Sequence, residues 1–154
     1  MSAIALDSNL VLLLIVGQVA PSLLGRHKRL SGYDRRDFNH LVGILGRVDD
    51  IVTTPNAMSE VSNLARQGIR DPDLSRIYNA LKQFAEHSNE RYLPSRDAAA
   101  APEFVRLGLT DVTWLSIPTA ETPLLTDDTD LYLAALGRGF QAIKFNEYRG
   151  VADA

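Results

Sequence analysis

Residues 3–19 read Ala3-Ile-Ala-Leu-Asp-Ser-Asn-Leu-Val-Leu-Leu-Leu-Ile-Val-Gly-Gln-Val19. The first four residues are apolar and give a short buried strand over 3–6. Asp7-Ser8-Asn9 is polar punctuation. The second apolar run gives a largely buried helix over 10–19, although its Val and Ile content weighs against helix. Pro21 ends or kinks it. A signal peptide or membrane span fits poorly here: no Lys or Arg precedes the run, Asp7 interrupts it, and Gly17-Gln18 closes it early. A span needs about 20 apolar residues. The chain is therefore expected to have no membrane association.

Working outward, strands and helices alternate. Phe38, Leu41, Val42 and Leu45 have helical spacing within 37–48, and a second strand follows at 51–54. Thr54 as N-cap with Pro55 behind it starts a helix that Gly68 closes. A helix is expected over 72–90, a weakly patterned link over 93–102, and a second N-cap at Thr110 before a short helix over 111–115. A loop over 118–123 leads to a third strand at 124–126, a helix at 131–136 and a last strand at 140–145. Such alternation implies right-handed crossovers and a mostly parallel sheet of four to five strands, flanked by helices on both faces in three layers. No domain boundary is visible, so residues 1–154 are expected to form one α/β domain.

The 154 residues suffice for one hydrophobic core, and the 45% hydrophobic content is that of an ordinary globular protein. The net charge of −3 does not announce a polyanion partner, but local fields outlast the sum. The absence of cysteine excludes disulfides, thiolate metal sites and a cysteine nucleophile, and fits a cytoplasmic location.

The acids are the informative residues. Asp7 follows the first strand, Glu60 lies about two turns into the helix after the second, and Asp111 stands at a helix start. Asp127, Asp128 and Asp130 follow the third strand. Ligands of open parallel sheets bind beyond the carboxyl ends of the strands, where these residues are expected to meet. Four carboxylates together repel one another, and a divalent cation such as Mg²⁺ or Mn²⁺ makes them tolerable. Such ions acidify water and stabilise a leaving oxygen, which is what phosphate-ester hydrolysis requires. Each acid also has a plainer reading. Asp111 suits a helix dipole, the 127–130 cluster suits a turn and cap, and Glu60 suits a solvated helix face. Asp7 has little evident structural purpose.

These segments together resemble one family. Leu6-Asp7-Ser8-Asn9, Thr54-Pro through Glu60 to Leu64, Leu107-Gly-Leu-Thr-Asp111, Leu125-Thr-Asp-Asp-Thr-Asp-Leu131 and Ala142-Ile-Lys-Phe-Asn-Glu-Tyr-Arg149 stand in the order of the PIN-domain ribonucleases, the fold of VapC-type toxins. The resemblance implies a Mg²⁺- or Mn²⁺-dependent endoribonuclease with Asp7, Glu60, Asp111 and Asp128 as catalytic and metal-holding acids. Asn9, Thr126 and Asp130 would support them, with Asp130 able to supplement or replace Asp128. It also implies RNA as substrate, a cognate antitoxin protein as partner, and a homodimer to which the apolar helix at 10–19 could contribute. The chain is longer than the smallest toxins, around 20–36 and 86–103, and Lys144 stands where a less charged residue is common.

Arg26, Lys28, Arg29, Arg35 and Arg36, expected in one loop, suit a phosphate backbone, and Tyr33 among them suits base stacking; a solvated loop is the plainer view. His27, His40 and His87 have no ligand spacing and are expected to be structural. Trp114 is expected in the core or as a partner-binding anchor. Gly137-Arg138-Gly139 lacks the context of a dinucleotide fingerprint. Asn9 removes the second acid of an Asp-x-Asp phosphatase. The rival to a nuclease is a non-catalytic module of the same fold that binds RNA or protein.

Overall fold

The computed structural model describes residues 2–117 and 121–147. Its centre is a five-stranded sheet in the order β3-β2-β1-β4-β5: β1 Ala3–Leu6, β2 Asp50–Thr53, β3 Asn89–Glu90, β4 Leu124–Thr126 and β5 Ala142–Lys144. Every pairing is parallel. The expected α/β three-layer fold with a parallel sheet is what the chain adopts.

β1 holds the middle because both its faces are apolar. Ile4 and Leu6 join a cluster on one face, while Ala5 joins Val52, Trp114, Leu124 and Leu131 on the other. A strand buried on both sides reads as a continuous apolar run rather than an alternating one. Helix α1 (Ser8–Val19) is likewise apolar all round: every residue from Leu10 to Gly17 is buried. It lies against α2 (Arg35–Leu45), α3 (Pro55–Ala65) and α4 (Asp73–His87). The opposite layer contains α7 (Leu109–Ser116) and α8 (Thr129–Gly137), with the short α5 (Ser95–Ala99) and α6 (Phe104–Leu107) leading into it. Among the described residues, no helix is long and apolar enough to cross a membrane.

Several expectations are corrected. The helix expected over 72–90 stops at His87, and Asn89–Glu90 instead pairs with β2 as the edge strand β3. Ser88 is extended, with its N–H and hydroxyl both donating to the Phe84 carbonyl, which frees the next residues to enter the sheet. Helix α2 begins at Arg35, not 37, because Asp34 and Asp37 form a reciprocal capping box. Arg35 and Arg36 are therefore helical and leave the expected loop. Thr110 is not a cap: Gly108, at φ 85°, sits at the N-cap position of α7. Such a φ favours glycine. Because α1 is buried within one subunit, it cannot line a homodimer interface. Trp114 is 1% exposed and belongs to the core. Residues 118–120 of the expected loop, and Tyr148-Arg149 of the closing motif, lie outside the described residues.

Helix α1 packs tightly on Phe38 of α2 at Gly17. A Cβ built there would fall 2.2 Å from Phe38 Cδ2 and 2.6 Å from Cγ. Alanine would gain about 1 kcal/mol of helix propensity, against about 1–3 kcal/mol for overpacking a filled site. The Cγ clash cannot be relieved by rotating the ring about χ2, so overpacking should win. Gly17→Ala is expected to lower the urea midpoint, and Phe38→Leu in the same chain to recover part of the loss.

Candidate active site

The rim at the carboxyl end of the central strands is built by hydrogen bonds between two strand–helix junctions. The Asp7 N–H donates to the Leu125 carbonyl at 3.1 Å, carrying the β1–β4 pairing one residue past Leu6. The Asp7 carbonyl then accepts from the Leu10 and Val11 N–H groups, both at 3.0 Å, and α1 begins. The Asp7 side chain is only 6% exposed. Its Oδ1 accepts from the Ser8 N–H at 2.7 Å and its Oδ2 from the Thr126 hydroxyl at 2.5 Å. The same Thr126 oxygen accepts from the Asp128 N–H at 3.0 Å, and Asp128 Oδ1 caps α8 by accepting from the Leu131 N–H at 3.0 Å. Thr126 therefore joins Asp7 to Asp128. As N-cap of α1, Asp7 does have a structural use, contrary to the expectation. The cap reaches only the first helical N–H, whereas good caps reach the second or third.

Glu60 arrives from α3, whose start is fixed by the Thr54 hydroxyl accepting from the Ala57 N–H at 3.0 Å. Asp111 arrives in the first turn of α7. Asp7, Glu60, Asp111 and Asp128 line one cleft of about 240 Å³, together with Asn9 and residues 107–110. None of its lining residues is basic. Burial pushes Asp7 up to about 6, with Asp128 and Glu60 adding to the rise while the Thr126 and Ser8 hydrogen bonds oppose it. Burial also pushes Asp111 up to about 7, helped by the charges of Asp7, Asp128 and Glu60. A carboxylate serving only a helix dipole would move the other way. Raised acids that interact across a cleft make it the candidate functional site of the chain.

The crowded cluster after Thr126 divides cleanly. Asp128 faces the cleft. Asp127 turns away, accepting from the Asn146 N–H at 2.7 Å and from the Tyr33 hydroxyl. Asp130 is exposed in the first turn of α8 and does not line the cleft. Among the described residues, no group of three or more His, Cys, Asp or Glu side chains stands ready to hold a metal ion. The acids share the cleft without closing into a cage.

The basic residues are placed elsewhere. Arg26 and Lys28 line a separate hollow of about 280 Å³ beside His27 and Gln67, which shares no lining residue with the acidic cleft. Arg36 pairs with Asp34 at 3.5 Å. Tyr33 is half-buried: its ring lies 6.2 Å from that of Phe145, and its hydroxyl donates to Asp127. His27 is buried and accepts from the Arg29 N–H at 3.1 Å, while a His87 ring nitrogen meets the Gln83 carbonyl at 2.7 Å, both as structural residues do.

One feature was not read from the sequence. A second hollow, of about 450 Å³, adjoins the acidic cleft and shares Glu60, Leu109 and Thr110 with it. Asn56, Ser59, Asn63 and Tyr92 line it. The spacing of 56, 59, 60 and 63 on one helical face was the available signal.

No protein-family model matches the chain, and no curated protein matches it. Among solved structures it is similar to a domain of a functionally unknown protein from Methanocaldococcus jannaschii DSM 2661, with 18% identity over 94% of this chain and 91% of that one, at a TM-score of 0.46. A likeness at that level carries no argument about function.

The raised acids make metal-free stability depend on pH. The folded-state pKa of Asp7, about 6, exceeds its ordinary value of 3.8, so the folded protein holds this proton more tightly than the unfolded chain does. The resulting stabilisation is complete below about pH 4 and lost as pH rises through 6, a change of about 3 kcal/mol for a shift of about two units. Asp111 acts in the same direction. In EDTA, the protein should melt at a higher temperature at pH 5 than at pH 8, and Asp111→Asn should flatten more of that difference than Asp7→Asn, because the Asp111 pKa lies higher. A wild-type melting temperature that rises from pH 5 to pH 8 would contradict the assignment.

Proposed function

We propose that the protein is a metal-dependent endoribonuclease that hydrolyses RNA phosphodiester bonds, with Asp7, Glu60, Asp111 and Asp128 as its acidic residues. The observation that carries this reading is the shared cleft: four carboxylates from four separate segments line it, two of them well above the ordinary range, with no basic side chain among them. Asp7 and Asp128 each cap a helix, but gathering all four carboxylates in one cleft costs desolvation and mutual repulsion that capping does not require. The order of motifs that resembles PIN-domain ribonucleases supports the same reading, and narrows the phosphate ester to RNA.

The donor set suits Mg²⁺ or Mn²⁺, since these hard cations take carboxylate, amide and water oxygens. An ion held by Asp7, Glu60, Asp111 and Asp128 would acidify the attacking water and draw charge from the leaving oxygen. The remaining tasks fall to the chain itself. Thr126 and the Ser8 N–H fix both oxygens of Asp7. The Leu131 N–H fixes one oxygen of Asp128 and leaves the other to the cleft. Asn9 offers an amide at the same rim. In the overall reaction, the water oxygen bonds to phosphorus as one phosphorus–ribose oxygen bond breaks. The ribose oxygen leaves as a hydroxyl, and one proton is released to solvent.

The biology proposed with this activity is that of a cytoplasmic toxin of a toxin–antitoxin pair, its cleft covered by an antitoxin that offers an arginine to the carboxylates. A homodimer would have to use a surface other than α1. Arg26, Lys28 and Arg29 are exposed, and Arg26 and Lys28 border a hollow separate from the cleft; only an RNA that extends past the cleft would reach them, and its affinity would then fall with salt.

Purified protein incubated with structured RNA should cut it in Mn²⁺ and not in EDTA. Asp111→Asn and Glu60→Gln should abolish cutting. Thr126→Val, which leaves all four acids in place, should reduce it by about 10–100-fold. Saturating Mn²⁺ should raise the melting temperature, by the equivalent of about 2.7 kcal/mol at a hundred times the dissociation constant. Metal-independent cutting, or undiminished cutting by Asp7→Asn, would reject the enzymatic reading in favour of a binding module.

A further inference from the structure

We propose that the hollow beside the acidic cleft is a nucleobase subsite for single-stranded RNA, with Tyr92 as its stacking surface and Asn56, Ser59 and Asn63 as its hydrogen-bonding wall. The inference deepens the ribonuclease reading of the adjoining cleft and rests on it.

Tyr92 is 74% exposed, a costly way to display an aromatic ring. Its position is set by the sheet: the Arg91 N–H donates to the Thr53 carbonyl at 2.8 Å, extending the β2–β3 pairing past Glu90. Tyr92 thus follows a pinned backbone at the carboxyl end of the edge strand, the rim on which Asp7 and Asp128 also stand. Across the hollow, Asn56, Ser59, Glu60 and Asn63 lie three to four residues apart and occupy one face of α3. Leu93 supplies an apolar contact.

The chemistry of this lining selects the ligand. The two amides and the hydroxyls donate and accept without charge, as base edges do. No Lys, Arg or His lines the hollow, so it is not built for a phosphate. A flat, neutral, hydrogen-bonding group with an aromatic face meets both needs: stacking on tyrosine, and edge contacts to asparagine and serine. Glu60 borders both spaces, so a base seated in the hollow brings its neighbouring phosphate to the acids. The strand must be single, because a base in a duplex is stacked on both faces and its Watson–Crick edge is taken up by its partner.

The test is fluorescence anisotropy with a short, labelled, mixed-sequence single-stranded oligoribonucleotide. It is run in EDTA on an Asp7→Asn background, which lessens repulsion between cleft and phosphate. Tyr92→Ala should weaken binding about tenfold, the scale of one lost base–aromatic stack, while Tyr92→Phe should bind like its parent. Asn63→Ala should change the ranking among homopolymers. Equal affinity of Tyr92→Ala and parent, or no binding by the parent, overturns the subsite, and a hollow that instead takes a protein partner would give that result. The neighbouring reading fails separately. Tyr92-dependent binding without metal-dependent cutting leaves the subsite and removes the nuclease, whereas cutting with Tyr92-independent binding does the reverse.

Discussion

One buried hydroxyl determines how this rim is assembled. Thr126 is fully buried, donates to Asp7 and accepts from the N–H of Asp128. A single oxygen thereby couples the turn after the central strand to the turn after its neighbour. Without it, Asp7 would be a desolvated carboxylate held by one backbone N–H, and burial would push its pKa higher still. The two central strands are parallel and adjacent, so both turns emerge on one side, and the threonine fixes their separation.

The rest of the molecule makes that bond possible by burying β1 on both faces. A carboxylate at the end of such a strand has little access to water, whatever its rotamer. α1 seals one side with an unbroken apolar surface, and Trp114 with Leu131 fills the other. Stability and electrostatics are therefore opposed at this point: the better the core closes around residue 7, the more it costs to charge that residue. Serine or asparagine at the same cap would carry no charge and no such conflict, so the position of Asp7 beside three further acids carries more weight than the number of acidic residues.

Much of this was legible in the residues. The opening strand and its polar break are read directly from 3–9, and Thr54-Pro55 announces α3 because the cap and the missing N–H are local chemistry. The third strand at 124–126 was equally plain. The edge strand β3 was not, since two residues have no periodicity and Asn89-Glu90 continues the amphipathic pattern of α4. Its existence depends on partner β2, a long-range pairing that no local window contains. The same holds for Asp127. Its neighbours 128 and 130 look equivalent in sequence, and only the contacts of Tyr33 and Asn146 turn 127 away from the cleft. The basic stretch over 26–36 looked continuous in charge, but it is divided by the capping box at Asp34, which draws Arg35 and Arg36 into a helix.

The missed edge strand bears most directly on function. A sheet that ended at β2 would leave the face of α3 that carries Asn56, Glu60 and Asn63 open to bulk water. β3 adds a wall, and the residue after its last backbone bond, from the Arg91 N–H to the Thr53 carbonyl, is Tyr92. The acidic cleft then adjoins a second hollow in which, among the described residues, the shared Glu60 is the one charged lining residue. An enzyme that draws only on charge cannot tell one phosphate ester from another, because every nucleotide offers the same anion. Discrimination has to come from surfaces that meet the part of the substrate that varies. In the proposed ribonuclease, the polar face of α3, opposed by an exposed aromatic ring, would be such a surface; it lies beside the carboxylates because Glu60 borders both spaces.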